Sequence, residues 1–156
     1  MRAWRAWRRL DASERRLLLC LAWLQPLIAL ALRTAGFKRT RALLERRSKK
    51  EPPFHPATPG QHQAAERCAR LAAIAGRRSP LPTRCLPQAL AVYTLLRRSG
   101  LDPELRLGVD RIGSRPDMHA WVELDGVPLA QPHLRHRAFQ PGRSASTAAT
   151  TSSNNS

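Results

Sequence analysis

The chain has 156 residues, enough for one domain with a modest core, and 42% of them are hydrophobic against 24% charged, which excludes a wholly disordered protein. Lys and Arg number 27 against 11 Asp and Glu, a net charge of +16 carried almost entirely by arginine, since only Lys38, Lys49 and Lys50 are lysines. The three cysteines, Cys20, Cys68 and Cys85, are odd in number and irregular in spacing, which excludes a disulfide framework and fits a reducing compartment.

In chain order, residues 1–47 read as an N-terminal helical segment. Asp11-Ala12-Ser13-Glu14 is a capping box. Residues 17–24 then form an apolar helix, Pro26 suits the first turn of a second helix over 27–35, and Gly36 ends it. A third, basic helix spans 39–47. The apolar run 17–32 is 16 residues long and is broken by Gln25-Pro26, short of the roughly 20 that a spanning helix needs. A helical hairpin packed on the core or on a partner is favoured over a signal peptide or a membrane anchor. The expected location is the cytoplasm, with peripheral membrane association as the alternative.

Residues 48–60 are rich in Pro and charge and read as a linker. Residues 61–140 form the core. In it, helical periodicity runs over 62–75, with Ala65, Cys68, Ala69, Ala72 and Ala73 on the apolar side and Gly76 at the end. The next helix starts at Cys85 and carries the stripe Leu86, Leu90, Tyr93 and Leu96, with Gln88, Thr94, Arg97 and Arg98 facing away. Strands are expected at 104–109, 118–124 and 127–131, with a loop at 111–117 and an Asp125-Gly126 hairpin turn. Residues 141–156 are Ser, Thr, Ala and Asn-rich and read as a disordered tail.

Two residues carry chemistry. Pro87 has no N–H and fits a helix only in its first turn, which places Cys85 at the helix start. A helix N-terminus supplies positive partial charge and free N–H groups that stabilise a thiolate. His119 lies on the second strand and can take the thiol proton and return it to a leaving group. Backbone N–H groups at the helix start can hold the oxyanion, and Gln88 is a weaker candidate for that task. Cys20 and Cys68 read as core fillers. Trp121 reads as core or pocket wall, Glu123 as solvent-exposed, and His55, His133 and His136 as loop residues. A zinc site built from His62, Cys68, Cys85 and His119 lacks the usual ligand spacing, so no metal and no cofactor are expected.

The order helix with Cys, strand, strand with His, strand is that of transglutaminase-like folds. Cys85-Leu86, Ala89-Leu90-Ala91, Leu95-Leu96-Arg97-Arg98-Ser99-Gly100, Leu105-Arg106-Leu107-Gly108-Val109 and His119-Ala120-Trp121-Val122-Glu123 followed by Asp125-Gly126 resemble the bacterial lasso-peptide leader peptidases. These are the microcin-processing proteins of the transglutaminase-like superfamily. The resemblance covers roughly residues 11 to 131. It implies an α+β fold, a small papain-like cysteine protease core behind an N-terminal helical segment. It also implies an activity: cutting the leader from a ribosomally made precursor peptide before cyclisation. The implied partners are that precursor, a small leader-recognition protein, and an asparagine-synthetase-like lasso cyclase. The family's third catalytic residue is an Asp on the strand after the hairpin, where this chain has Gln131. An amide can orient an imidazole, though it stabilises imidazolium less than a carboxylate. With a two-residue turn Gln131 falls opposite Ala120, away from the His119 face; one extra residue puts it opposite Trp121, and Pro128 suits such a bulge. Asp125 is the other carboxylate nearby.

Two further classes stay in view. A catalytically weak or inactive module of the same fold would use its basic surface to bind an acidic peptide or a partner enzyme. A nucleic-acid binder would also suit the charge, but no recognition motif supports one, and no nucleic acid is expected as a partner.

Overall fold

The computed structural model describes residues 10–48, 56–78, 85–112, 115–130 and 137–138. Its first element, α1, covers Ala12–Arg47. The expected capping box forms: the Glu14 N–H donates to Asp11 Oδ1 at 2.7 Å and the Asp11 N–H to Glu14 Oε2 at 3.1 Å. The Ser13 hydroxyl and the Glu14 N–H hold the Asp11 carboxyl below its usual range.

The expected hairpin at Gln25-Pro26 does not form. The helix runs through Pro26, and the break expected at Gly36 is present, with a non-helical φ of 76° and ψ of 171°. Pro26 frees the carbonyl of Ala22 from its helical bond. Ala22 is exposed, so water can satisfy that carbonyl and the helix continues.

The second helix, α2, covers Pro59–Arg78, longer at both ends than the apolar periodicity suggests. Its start is a second capping box. The Thr58 N–H donates to Gln61 Oε1 at 2.8 Å and the Gln61 N–H to Thr58 Oγ1 at 3.3 Å. Thr58-Pro59-Gly60-Gln61 is therefore the signal that fixes this end, and Gly76 stays inside the helix.

Helix α3, Cys85–Arg98, is the centre of the molecule. Its buried residues lie all round its axis: Pro87, Ala89, Leu90, Ala91, Val92, Tyr93, Thr94 and Leu96. Thr94, expected to face away, is 5% exposed, and its hydroxyl donates to the Leu90 carbonyl at 2.7 Å. A helix covered on every side can hold a small hydroxyl if that hydroxyl bonds its own backbone.

The sheet has the order β3-β2-β1-β4, all antiparallel: β1 Pro103–Ile112, β2 Arg115–Leu124, β3 Val127–Pro128 and β4 Arg137–Ala138. The β1–β2 ladder runs from Pro103↔Leu124 to Ile112↔Arg115, so most of the expected 111–117 loop is paired strand. Backbone hydrogen bonding needs no apolar alternation to continue a hairpin, which is why the polar sequence hid it. The Asp125-Gly126 turn forms as expected, with φ of 50° and 77°, the positive values that a tight hairpin turn needs. β4, not anticipated, pairs with β1 through Gly108↔Ala138.

One core joins these elements. Leu18, Leu21 and Ile28 of α1, Ala65, Ala69 and Ala72 of α2, Leu90 and Val92 of α3, and Ala120, Val122 and Leu124 of β2 belong to it. Polar ties reinforce it. Buried Gln25 donates from Nε2 to the Ala72 carbonyl at 2.8 Å, and Glu14 pairs with Arg67 at 3.4 Å. Tyr93 donates to Glu45 at 3.4 Å, linking α3 to the end of α1.

Candidate active site

Cys85 is the first residue of α3 and is half-buried. The first turn of a helix leaves backbone N–H groups with no helical acceptor, and here they lie beside a thiol. The Cys85 S–H donates to the carbonyl oxygen of Met118, 3.7 Å away. Met118 immediately precedes His119, so the start of α3 meets β2 next to the histidine.

On β2, His119, Trp121 and Glu123 share one face, while Ala120, Val122 and Leu124 turn into the core. Opposite His119 on β1 is Gly108, which carries no side chain. The next pair is Trp121↔Arg106 and the one after it Glu123↔Glu104. The Trp121 indole, 2% exposed, stacks on the imidazole with centroids 6.1 Å apart and an interplanar angle of 18°.

The indole is held in turn. Its Nε1–H donates to Glu123 Oε1 at 2.9 Å, and Arg106 Nε donates to Glu123 Oε2 at 2.9 Å. Arg106 also pairs with Glu104 at 2.6 Å. Glu123, expected to be solvated, is instead only 13% exposed in its side chain and engaged through both oxygens. Period-two alternation placed it on the His119 face, but nothing in one strand's sequence shows that Arg106 lies across from its neighbour.

Asp125 is six residues further along the chain than His119, roughly 20 Å of extended strand. Its Oδ2 accepts from the Ala57 N–H at 2.9 Å and pairs with His62 Nε2 at 2.9 Å. These contacts tie the hairpin turn to the segment that leads into α2. Gln131 lies outside the described residues, as do His55, His133 and His136. Before Gln131 the Leu129 N–H donates to the Val122 carbonyl at 2.9 Å, continuing the β3 ladder. Ala130 then has φ of 52°, and its N–H donates to Glu66 Oε2 at 2.8 Å. The ladder therefore departs from regularity at Ala130, whereas Pro128 stays in register opposite Glu123, as an edge strand tolerates.

Half-buried Gln88 lines a narrow cleft with Trp121 and Ala130. Ala130 also borders an open groove of about 720 Å³ along α2, lined by Glu66, Arg70, Ile74, Arg77 and Pro128.

The other thiols differ from expectation in one case. Cys68 is buried, and that burial pushes its thiol up to about 11, with neighbouring Cys20 a smaller contribution. Cys20, expected inside, is exposed on α1, because the helix is apolar on two opposite sides and only one is covered. Maleimide labelling of the folded protein at about pH 8 should therefore modify Cys20 and Cys85 and spare Cys68. Peptide mapping reads this directly, and prompt labelling of Cys68 would contradict its placement. Among the described residues no three His, Cys, Asp or Glu side chains group as metal ligands; His62 is paired with Asp125.

A family model described as the transglutaminase-like superfamily matches residues 26–144. The chain belongs to the transglutaminase-like superfamily. That superfamily includes cysteine peptidases. In this transglutaminase-like chain the match begins inside α1 and extends past β4, so it takes in α2, α3 and the whole sheet. Curated proteins and solved structures gave no match.

Proposed function

We propose that this transglutaminase-like protein is a cysteine endopeptidase that removes the leader from a ribosomally made, lasso-type precursor before cyclisation. The observation that carries the peptidase reading is the Cys85 thiol in the first turn of α3, bonded to the carbonyl next to His119. His119 takes the S–H proton as sulfur attacks the scissile carbonyl of the leader. N–H groups of the first α3 turn hold the oxyanion. The C–N bond then breaks, and His119 gives its proton to the departing core amine, leaving the leader as a thioester on Cys85. Water attacks that thioester, His119 accepts its proton, and the leader acid leaves as the proton returns to sulfur.

The lasso-type substrate rests on the Cys85 and His119-Ala120-Trp121-Val122-Glu123 motifs. In this reading a small leader-recognition protein presents the precursor and an asparagine-synthetase-like cyclase takes the product, in the cytoplasm. The Arg70 and Arg77 side of the α2 groove suits an acidic stretch of leader.

In the same reading Gln131 is the third member, accepting the second imidazole N–H through its amide oxygen. One placement supports it over Asp125, which is already engaged by Ala57 and His62. Leader release is followed by mass spectrometry on the precursor with its recognition protein. Gln131→Asp should raise turnover and Gln131→Ala lower it roughly tenfold, with Asp125→Asn nearly silent because Asn keeps the turn and an acceptor. The reverse pattern, Asp125→Asn inactive and Gln131→Ala silent, would make Asp125 the third member. An inactive wild-type that still binds the precursor would favour the binding-module reading, for which the neutral Gln131 is the motive.

A further inference from the structure

We propose that α1 seats this protein peripherally on an anionic lipid surface through the face turned away from the core. The helix is apolar on two opposite sides. One side, Leu18, Leu21 and Ile28, is buried against α2 and α3. On the other, Leu19, Trp23, Leu27 and Leu30 are 51%, 74%, 59% and 57% exposed. Their spacing of four, four and three residues draws one stripe roughly 16 Å long. A stretch of α1 is apolar enough to cross a membrane by composition, with mean hydropathy 1.8, yet only 22% of it is buried in the protein.

Charge selects the occupant. Between Glu14 and Glu45 the chain has no acidic side chain, while Arg15, Arg16, Arg33, Lys38, Arg39 and Arg41 are all basic. Exposed Arg16 and Arg33 stand at the two ends of the stripe. A protein partner is ordinarily met with charges of both signs around an apolar centre. Apolar side chains including a tryptophan, framed by arginine alone, fit acyl chains beneath anionic headgroups. The helix lies on such a surface and does not cross it. Crossing would strip Leu21, 0% exposed, from the core and break the Gln25 bond to the Ala72 carbonyl.

Flotation of the full chain with vesicles tests this, using phosphatidylcholine alone or mixed with phosphatidylglycerol. The wild-type should float with the anionic vesicles and not with the neutral ones, and carbonate should release it. Trp23→Asp with Leu27→Asp should weaken flotation by about tenfold or more, with an unchanged melting temperature because both side chains are exposed. Arg16→Gln with Arg33→Gln should weaken it less and flatten its salt dependence. Failure to float, or equal flotation of the Trp23/Leu27 variant, would overturn the proposal. So would carbonate-resistant protein, or a solution dimer that the Trp23/Leu27 variant dissociates. None of these outcomes bears on the peptidase reading, which rests on Cys85.

Discussion

Cys85→Ala should abolish leader removal, by ~10^4-fold or more, since loss of a nucleophile leaves only binding and oxyanion stabilisation to act. The fold should persist. Cys85 sits at the edge of the core and, among the described residues, bonds through a weak S–H donor to Met118, so its truncation removes little buried surface. Cys20→Ala and Cys68→Ala should keep activity. Circular dichroism and melting temperature on all three variants separate lost chemistry from lost structure. A Cys85→Ala protein that folds and cleaves at the wild-type rate would end the nucleophile assignment.

The second large effect is expected at Glu123. Truncating it to Ala removes the acceptor of the Trp121 indole N–H and leaves Arg106, among the described residues, with Glu104, itself largely exposed. A buried donor without a partner and a half-buried guanidinium with one fewer should cost about 2 kcal/mol. Activity should fall as well, because the indole that stacks on His119 is no longer fixed. Glu123→Gln keeps an acceptor for the indole, so it should recover most of the activity while recovering less of the stability. A purely structural role would make stability and activity fall in parallel in both variants. Thermal unfolding together with separate kcat and KM values distinguishes the two patterns.

The start of α3 was legible because two signals agreed there: Pro87 tolerates only a first turn, and the Leu86, Leu90, Tyr93 stripe begins beside it. The Asp125-Gly126 turn was legible because its positive φ values demand those residue types. What hid was non-local. Pro26 reads as a helix start until the solvent exposure of Ala22 is known. Thr94 reads as a surface residue until α3 is seen to be enclosed by α1, α2 and the sheet. Glu123 reads as solvated until Arg106 is placed across the ladder from Trp121. β4 has too few apolar residues to announce itself and is defined only by its pairing with Gly108 and Val109.

The end of the hairpin shows the same limit. A two-residue turn puts Gln131 opposite Ala120, away from the His119 face, and a bulge at Pro128 would move it. Pro128 stays in register opposite Glu123, and the irregularity falls at Ala130, which has a left-handed backbone and a bond to Glu66. Glu66 is 64 residues away in sequence, and no local pattern points to it.

The most direct measurement is the covalent state of Cys85 during turnover. The precursor, its recognition protein and this chain are mixed, quenched in acid at early times and mapped by mass spectrometry. The leader acyl group should appear as a thioester on Cys85 alone, before free leader accumulates, and be absent from Cys85→Ala. Leader release with no acylated cysteine, together with cleavage by Cys85→Ala, would contradict the role of Cys85 as nucleophile.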